Sequence, residues 1–227
     1  MTRRDKLLRR FDKAREFRHE ALTRRFDAAT ADAVLNEARE QYDSLIDGIP
    51  YAGRDRDSMA DSIIMTTELL AFVLVLRRRG AHRAAIGTLI PDLVKIPFQW
   101  VPAWLANSVL RVLRPLMLWK MRRDARGSLK RRHPDEFHWE VVDDEASDLG
   151  INIRSCAVCK TFSRHDAMDF VPYMCALDDE LSRIFGLGLR RTGTIALGAS
   201  HCDFRFQLGA EPRTLASQYD VPGLTPK

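Results

Sequence analysis

Cys175 and Asp178 stand three residues apart. On a helix that spacing sets a thiol and a carboxylate one turn from each other on the same face. Met174, Leu177, Leu181 and Ile184 recur at i, i+3, i+7 and i+10 and must form the core stripe of that helix. Cys175, Asp178 and Ser182 fall on a different, polar face, whereas a free cysteine usually behaves as a small core hydrophobe. A thiol here can serve as a nucleophile and Asp178 as an acid or base. A neighbouring carboxylate alone raises a thiol pKa, so a reactive Cys175 also needs a cation or metal nearby.

Thirty residues on, Cys202-Asp203-Phe204-Arg205-Phe206 alternates with period two. Cys202 shares one strand face with two phenylalanines, while Asp203 and Arg205 share the other. A cross-strand ion pair accounts for Asp203 and Arg205. The functional alternative is a carboxylate base beside a guanidinium that grips an anionic substrate. Arg191-Thr192-Gly193 and Gly198-Ala-Ser precede the strand, with His201 beside Cys202. Cys156 and Cys159 form a C-x2-C pair, and with Cys175, Cys202 or His201 they could supply a four-ligand zinc site. The spacing is not a doubled C-x2-C, so metal is the lesser alternative. A thioredoxin-like role lacks its flanking βαβ pattern.

These residues need a scaffold, and the chain divides into two parts. The first 120 or so residues read as helices. Leu7, Phe11, Ala14, Phe17 and Ala21 recur at helical spacing, as do Leu35, Ala38, Tyr42, Leu45 and Ile46 up to the stop at Gly48-Ile-Pro50. Asp57 or Ser58 suits the cap of a helix from Met59 to Arg79 that stops at Gly80. Pro91, Pro97, Pro102 and Pro115 are expected to break Ile86 to Trp119 into short helical pieces. Residues 122 to 135 read as a polar, basic linker. Phe137–Val142 and Ile151–Arg154 then alternate as strands. A helix follows from about Val171 to Phe185, and Leu189–Leu197 with Cys202–Leu208 reads as a hairpin. The expected fold class is α+β: a helical N-terminal part packed on a small C-terminal lobe with an antiparallel sheet. The expected divisions are 1–134, 135–208 and a loose tail 209–227.

With these residues in place, the chain resembles the L-2-amino-thiazoline-4-carboxylic acid hydrolase family. The matching pieces are Cys156 with Phe162, Pro172 before Cys175-x2-Asp178, Arg191-Thr192-Gly193-Thr194, Gly198, and Cys202-Asp203-Phe204-Arg205-Phe206. The resemblance spans about residues 135 to 208. It implies hydrolysis of a small cyclic amidine, the namesake reaction opening the thiazoline ring to N-carbamoyl-cysteine. For such a reaction Cys175 is the expected nucleophile, and Asp178 or Asp203 the acid/base. Arg191 or Arg205 would grip a carboxylate, and Thr192 or the backbone near Gly198 would stabilise developing charge. No cofactor is expected, with zinc at Cys156, Cys159, Cys202 and His201 as the alternative. The competing reading is a non-catalytic, cysteine-rich metal- or ligand-binding module with a basic helical docking region.

Composition bounds the rest. The 227 residues are 45% hydrophobic and 30% charged, ordinary for a globular chain. The net charge of +5 is concentrated in blocks from Arg3 to Arg25, Arg18 among them, and from Arg122 to Arg132. Acids interleave the first block, so both read as solvated faces, and nucleic acid is not expected because no binding motif accompanies them. Trp100, Trp104 and Trp119 sit beside the second block, a pattern compatible with peripheral membrane contact. The expected partner is a small-molecule substrate, with self-association left open. Met59 to Leu76 is apolar but carries Asp61 and Glu68, which points to a buried helix instead of a membrane span. The charged N-terminus resembles no secretory leader. Four cysteines then point to a reducing compartment, and the cytoplasm is the expected location.

Overall fold

The computed structural model describes residues 1–50, 59–94, 100–130 and 135–213. Asp57, Ser58, Pro97, Arg131, Arg132 and the chain beyond Arg213 lie outside them. The N-terminal helices are α1 (Arg3–Lys13), α2 (Arg15–Thr23), α3 (Ala28–Leu45), α4 (Ala60–Arg78) and α5 (Arg83–Leu89). Thr2 and Asp5 close a capping box on α1, and Asp27 caps α3 through the Thr30 N–H. Leu7, Phe11, Ala21, Leu35, Ala38 and Tyr42 are buried as the helical period predicts, but Ala14 falls at the junction of α1 and α2 and Phe17 is only half-buried. Phe11 stacks between Tyr42 and Phe72, with ring centroids 5.3 and 5.7 Å away.

One member of the basic block breaks the solvated reading. Arg18 is buried, with its guanidinium on Glu68 of α4 and 4.6 Å above the Phe11 ring. Glu68 also faces Arg10 at 3.5 Å, and Arg10 pairs with Asp61. The two acids in the apolar run are thus matched by arginines from α1 and α2. Among the described residues no helix is long and apolar enough to cross a membrane.

Pro91 and Pro102 stand at breaks between elements as expected, whereas the break expected at Pro115 and the linker give way to one long element. Helix α6 (Ala103–Lys130) runs 28 residues with Pro115 inside it. Proline in a helix interior forfeits one backbone bond, at about 3 kcal/mol. Here the helix is anchored on both sides of that point. Arg111 donates to the Leu208 carbonyl at 2.8 Å and Arg114 to the Asp148 carbonyl at 2.9 Å. Near its end, the Ser128 hydroxyl accepts from the Trp139 N–H at 3.2 Å. Residues 122 to 130 are therefore helix packed on the sheet lobe, not linker.

The sheet contains β1 (His138–Val142), β2 (Leu149–Ser155), β3 (Leu189–Arg190) and β4 (Cys202–Phe206), all antiparallel in the order β1-β2-β4-β3. Helices α7 (Ala157–Ser163) and α8 (Val171–Phe185) lie between β2 and β3. The α+β class and the bounds of α8 match the sequence pattern; α7 carried no signal in it. The expected hairpin is shorter in strand and longer in loop, because β3 ends at Arg190. The tail is tied down at its start, with Arg213 N–H donating to the Leu189 carbonyl at 2.8 Å.

The register sorts the sheet into two faces. Trp139 pairs with Ile153 and Ile153 with Cys202, Val141 with Ile151 and Ile151 with Phe204. That face is apolar, and helices cover it. Glu140, Asn152 and Asp203 pair across the other, polar face. The N-terminal helices join the lobe at α8: a Cβ on Gly87 of α5 would lie 2.1 Å from the Tyr173 ring. Only a glycine permits that approach.

Candidate functional site

A cavity of about 240 Å³ lies between α4, α8 and the apolar face of the sheet. The sheet contributes Ile151, Ile153, Cys202, Phe204 and Phe206; α8 contributes Met174, Cys175, Leu177, Asp178 and Leu181. Cys156, the residue before α7, opens onto it, and Ser62, Met65 and Thr66 of α4 close the opposite wall. Arg191 is the only cation lining it among the described residues, and Asp178 the only acid.

Arg191 organises the polar end. Nη1 donates to Asp178 Oδ2 at 2.9 Å, and Nη2 donates to Asp179 Oδ1 and the Cys175 carbonyl, each at 2.9 Å. The guanidinium also lies 5.0 Å from the Phe204 ring centroid. Its side chain is 1% exposed, so the pair with Asp179 is a buried one. A buried cation is tolerated only when so fully engaged. Asp178 is open toward the cavity but enclosed by protein elsewhere, and the enclosure governs its charge. Burial pushes its carboxyl up to about 6, against the pull of Arg191 and with help from Asp179. A carboxyl poised there can both give and take a proton near neutrality.

The four thiols are free and differ sharply. Burial, with Asp178 adding to it, raises Cys175 well above the ordinary range. Burial pushes Cys202 up to about 11, and its Sγ accepts from the Ile195 N–H at 3.3 Å. The Cys159 thiol is raised, first by its interaction with Cys156. Cys156 alone is lowered, chiefly by the Cys159 S–H, with the N–H groups of Cys159 and Val158 adding to it against burial. Of the four thiols, Cys156 is the one whose surroundings favour the thiolate.

The other expected site residues stand elsewhere. Asp203 lies on the polar sheet face, where its carboxylate accepts from Thr192 N–H at 2.9 Å, Thr192 Oγ1 at 2.7 Å and Gly193 N–H at 2.8 Å. Burial opposes the charge, but these donors outweigh it and hold Asp203 below the usual range. Arg205, on the same face, donates to the Ile151 and Phe204 carbonyls and sits 3.4 Å from Asp144. Thr192 is exposed and held to Asp203, and Gly198 sits exposed at φ +88° after a short 3-10 turn. None of these four lines the cavity. Asp203 and Thr192 instead brace the loop that carries Arg191.

The zinc set does not assemble: among the described residues no three His, Cys, Asp or Glu side chains form a group that could hold a metal ion. His201 turns its Nδ1 to Ser200 Oγ at 3.0 Å, and Cys202 faces Ile195. Sequence reasoning did not find Asp179 as the second acid on Arg191, and it missed the α4 wall. Asp179 adjoins Asp178 in sequence, and the pair of acids was the available signal.

Against known proteins, residues 104–206 match the family model described as L-2-amino-thiazoline-4-carboxylic acid hydrolase. The match takes in all of the sheet, α7, α8 and most of α6, and so extends further toward the N-terminus than the motif residues alone. No curated protein and no solved structure matches the chain.

Proposed function

We propose, from the premise that residues 104–206 belong to the L-2-amino-thiazoline-4-carboxylic acid hydrolase family, that the chain hydrolyses a small cyclic amidine or amide. The observation that carries this reading is the meeting of Cys156, Asp178 and Arg191 in one cavity. Cys156, not Cys175, is the nucleophile in this reading, because it is the thiol held low. Its sulfur attacks the electrophilic ring carbon and forms a C–S bond. The ring bond to nitrogen or sulfur then breaks, and Asp178 in its neutral form protonates the leaving atom. Water attacks the enzyme-bound carbon, Asp178 takes its proton, and Cys156 leaves as thiolate. The net change is the addition of one water.

Arg191 holds Asp178 in place and tempers its pKa. Both of its terminal nitrogens are already engaged by carboxylates and a carbonyl. A substrate carboxylate must compete with Asp178 and Asp179 for it, whereas a neutral or cationic amidine meets Asp178 directly. The apolar walls favour the same choice, since a charge taken into them without a partner is costly. We therefore favour an amidine or amide without a carboxylate over the namesake thiazoline carboxylate.

Matched pairs of cyclic amidines and amides, with and without a carboxylate, are incubated with the full chain and read by mass spectrometry. Gain of one water by the members without a carboxylate, lost in Cys156→Ser, is the expected result. Turnover of only the carboxylates overturns the substrate preference. Undiminished turnover in Cys156→Ser overturns the assignment of the nucleophile.

A further inference from the structure

Helix α6 has two stripes where a helix packed on a domain needs one. Asn107, Ala125 and Ser128 are buried on the side that meets the lobe. On the opposite side Leu105, Val109, Val112, Leu113, Leu116 and Trp119 stand exposed, Val112 to 78%. At 100° per residue these six spread over about a third of the helix circumference. Trp104 widens the patch at its N-terminal end, 70% exposed, and Trp100 lies just before it at 78%. An apolar patch of this extent on one element marks a contact surface.

Charge identifies the contact. Past Trp119 the same side becomes basic: Lys120, Arg123, Arg126 and Lys130 share it with one acid, Asp124, and Arg122 beside them pairs with Asp143. Beside the patch, Arg114, Arg122 and Arg126 line a shallow groove of about 420 Å³ with Trp119 and Leu118. Arg123 lies 5.2 Å from the Trp119 ring centroid. A second copy suits this surface poorly. Parallel pairing sets the basic end against itself, and antiparallel pairing sets it against the apolar end. An anionic bilayer answers both halves, taking the leucines and indoles into its acyl boundary and the arginines at its phosphates.

We propose that the exposed side of α6 is a docking surface for an anionic lipid bilayer, on which the chain lies as a peripheral protein. The inference is independent of the hydrolase reading, because the surface does not border the thiol cavity.

The test floats the full chain with vesicles of phosphatidylcholine alone or of phosphatidylcholine with phosphatidylglycerol. Expected are at least about ten-fold more binding to the anionic vesicles, a blue shift of tryptophan emission, and release by salt as screening shortens from about 10 Å at 0.1 M to about 3 Å at 1 M. Val112→Glu with Leu116→Glu, and separately Arg123→Glu, should each weaken binding while the thermal melt stays unchanged, since all three side chains are exposed. Equal binding to both vesicle types overturns the proposal. So does full binding by both variants, or a stable dimer in solution that Leu116→Glu dissociates.

Discussion

Arg191 and Asp178 meet at 2.9 Å with opposite surroundings: the guanidinium side chain is 1% exposed and the carboxylate side chain 40%. The cation is locked in the interior while its partner faces the cavity. This asymmetry leaves the Asp178 carboxyl within reach of the cavity and holds the Arg191 guanidinium to its protein partners.

The raised pKa of Asp178 has a sign that can be checked in stability. A carboxyl whose pKa rises on folding from 3.8 to about 6 binds its proton more tightly in the folded state. Its contribution is fully present below 3.8 and is lost as pH rises through about 6. Asp178→Asn should therefore gain on the wild type in melting temperature between acid and neutral pH. In turnover, where the neutral carboxyl is the donor, the wild-type rate should fall above about 6. The variant should lose that limb along with roughly 10²- to 10³-fold in rate. A wild-type pH profile retained in the variant would show that Asp178 is not the titrating group.

Thiol reactivity gives a second measurement. At neutral pH iodoacetamide should alkylate Cys156 well before Cys175 or Cys202, whose thiols burial holds protonated. Peptide mapping over a time course reads the order directly. First labelling at Cys175 would restore it as the nucleophile expected from the helix pattern.

The buried pair in the helical part makes a stability prediction. Glu68→Gln leaves the buried Arg18 without its carboxylate and should cost about 3–5 kcal/mol in urea unfolding, and Arg18→Met, which leaves Glu68 only Arg10 at 3.5 Å, should destabilise in the same direction. Arg18→Met with Glu68→Met should recover most of that loss. If the double variant is no more stable than the singles, the pair is not an energetic unit.

Gly87 offers a fourth test. A methyl group there meets the Tyr173 ring at 2.1 Å, and Tyr173 is fully buried. Gly87→Ala should lower stability by about 1–3 kcal/mol, and Tyr173→Leu in the same chain should relieve part of it. A melt unchanged by Gly87→Ala would mean that α5 and α8 move apart freely.

What the sequence disclosed follows from how local each signal is. The bounds of α8 are written in its own repeat and in Gly186, whose left-handed backbone ends it. The period-two split of β4 is equally local, and the register bears it out. Which face meets the cavity is not local: it depends on α4 and α8 lying over the side of Cys202 and the phenylalanines. Asp203 and Arg205 therefore stand on the far side from the thiols. Arg18 sits in a row of arginines that read as solvated, and its partner Glu68 lies fifty residues away. Pro115 reads as a break because its local cost is plain, while the anchors on either side of it along the unbroken α6 come from Asp148, Leu208 and Trp139.

The α4 wall of the cavity lies apart in sequence from the thiols and the Asp178–Arg191 pair. Ser62, Met65 and Thr66 precede the stretch that matches the family model, whereas the thiols, Asp178 and Arg191 lie within it. Substitutions in α4 can reshape what enters the cavity without touching any group assigned to bond-making. In the proposed function, the fit of the cavity on this side can therefore be altered separately from the groups that make and break bonds.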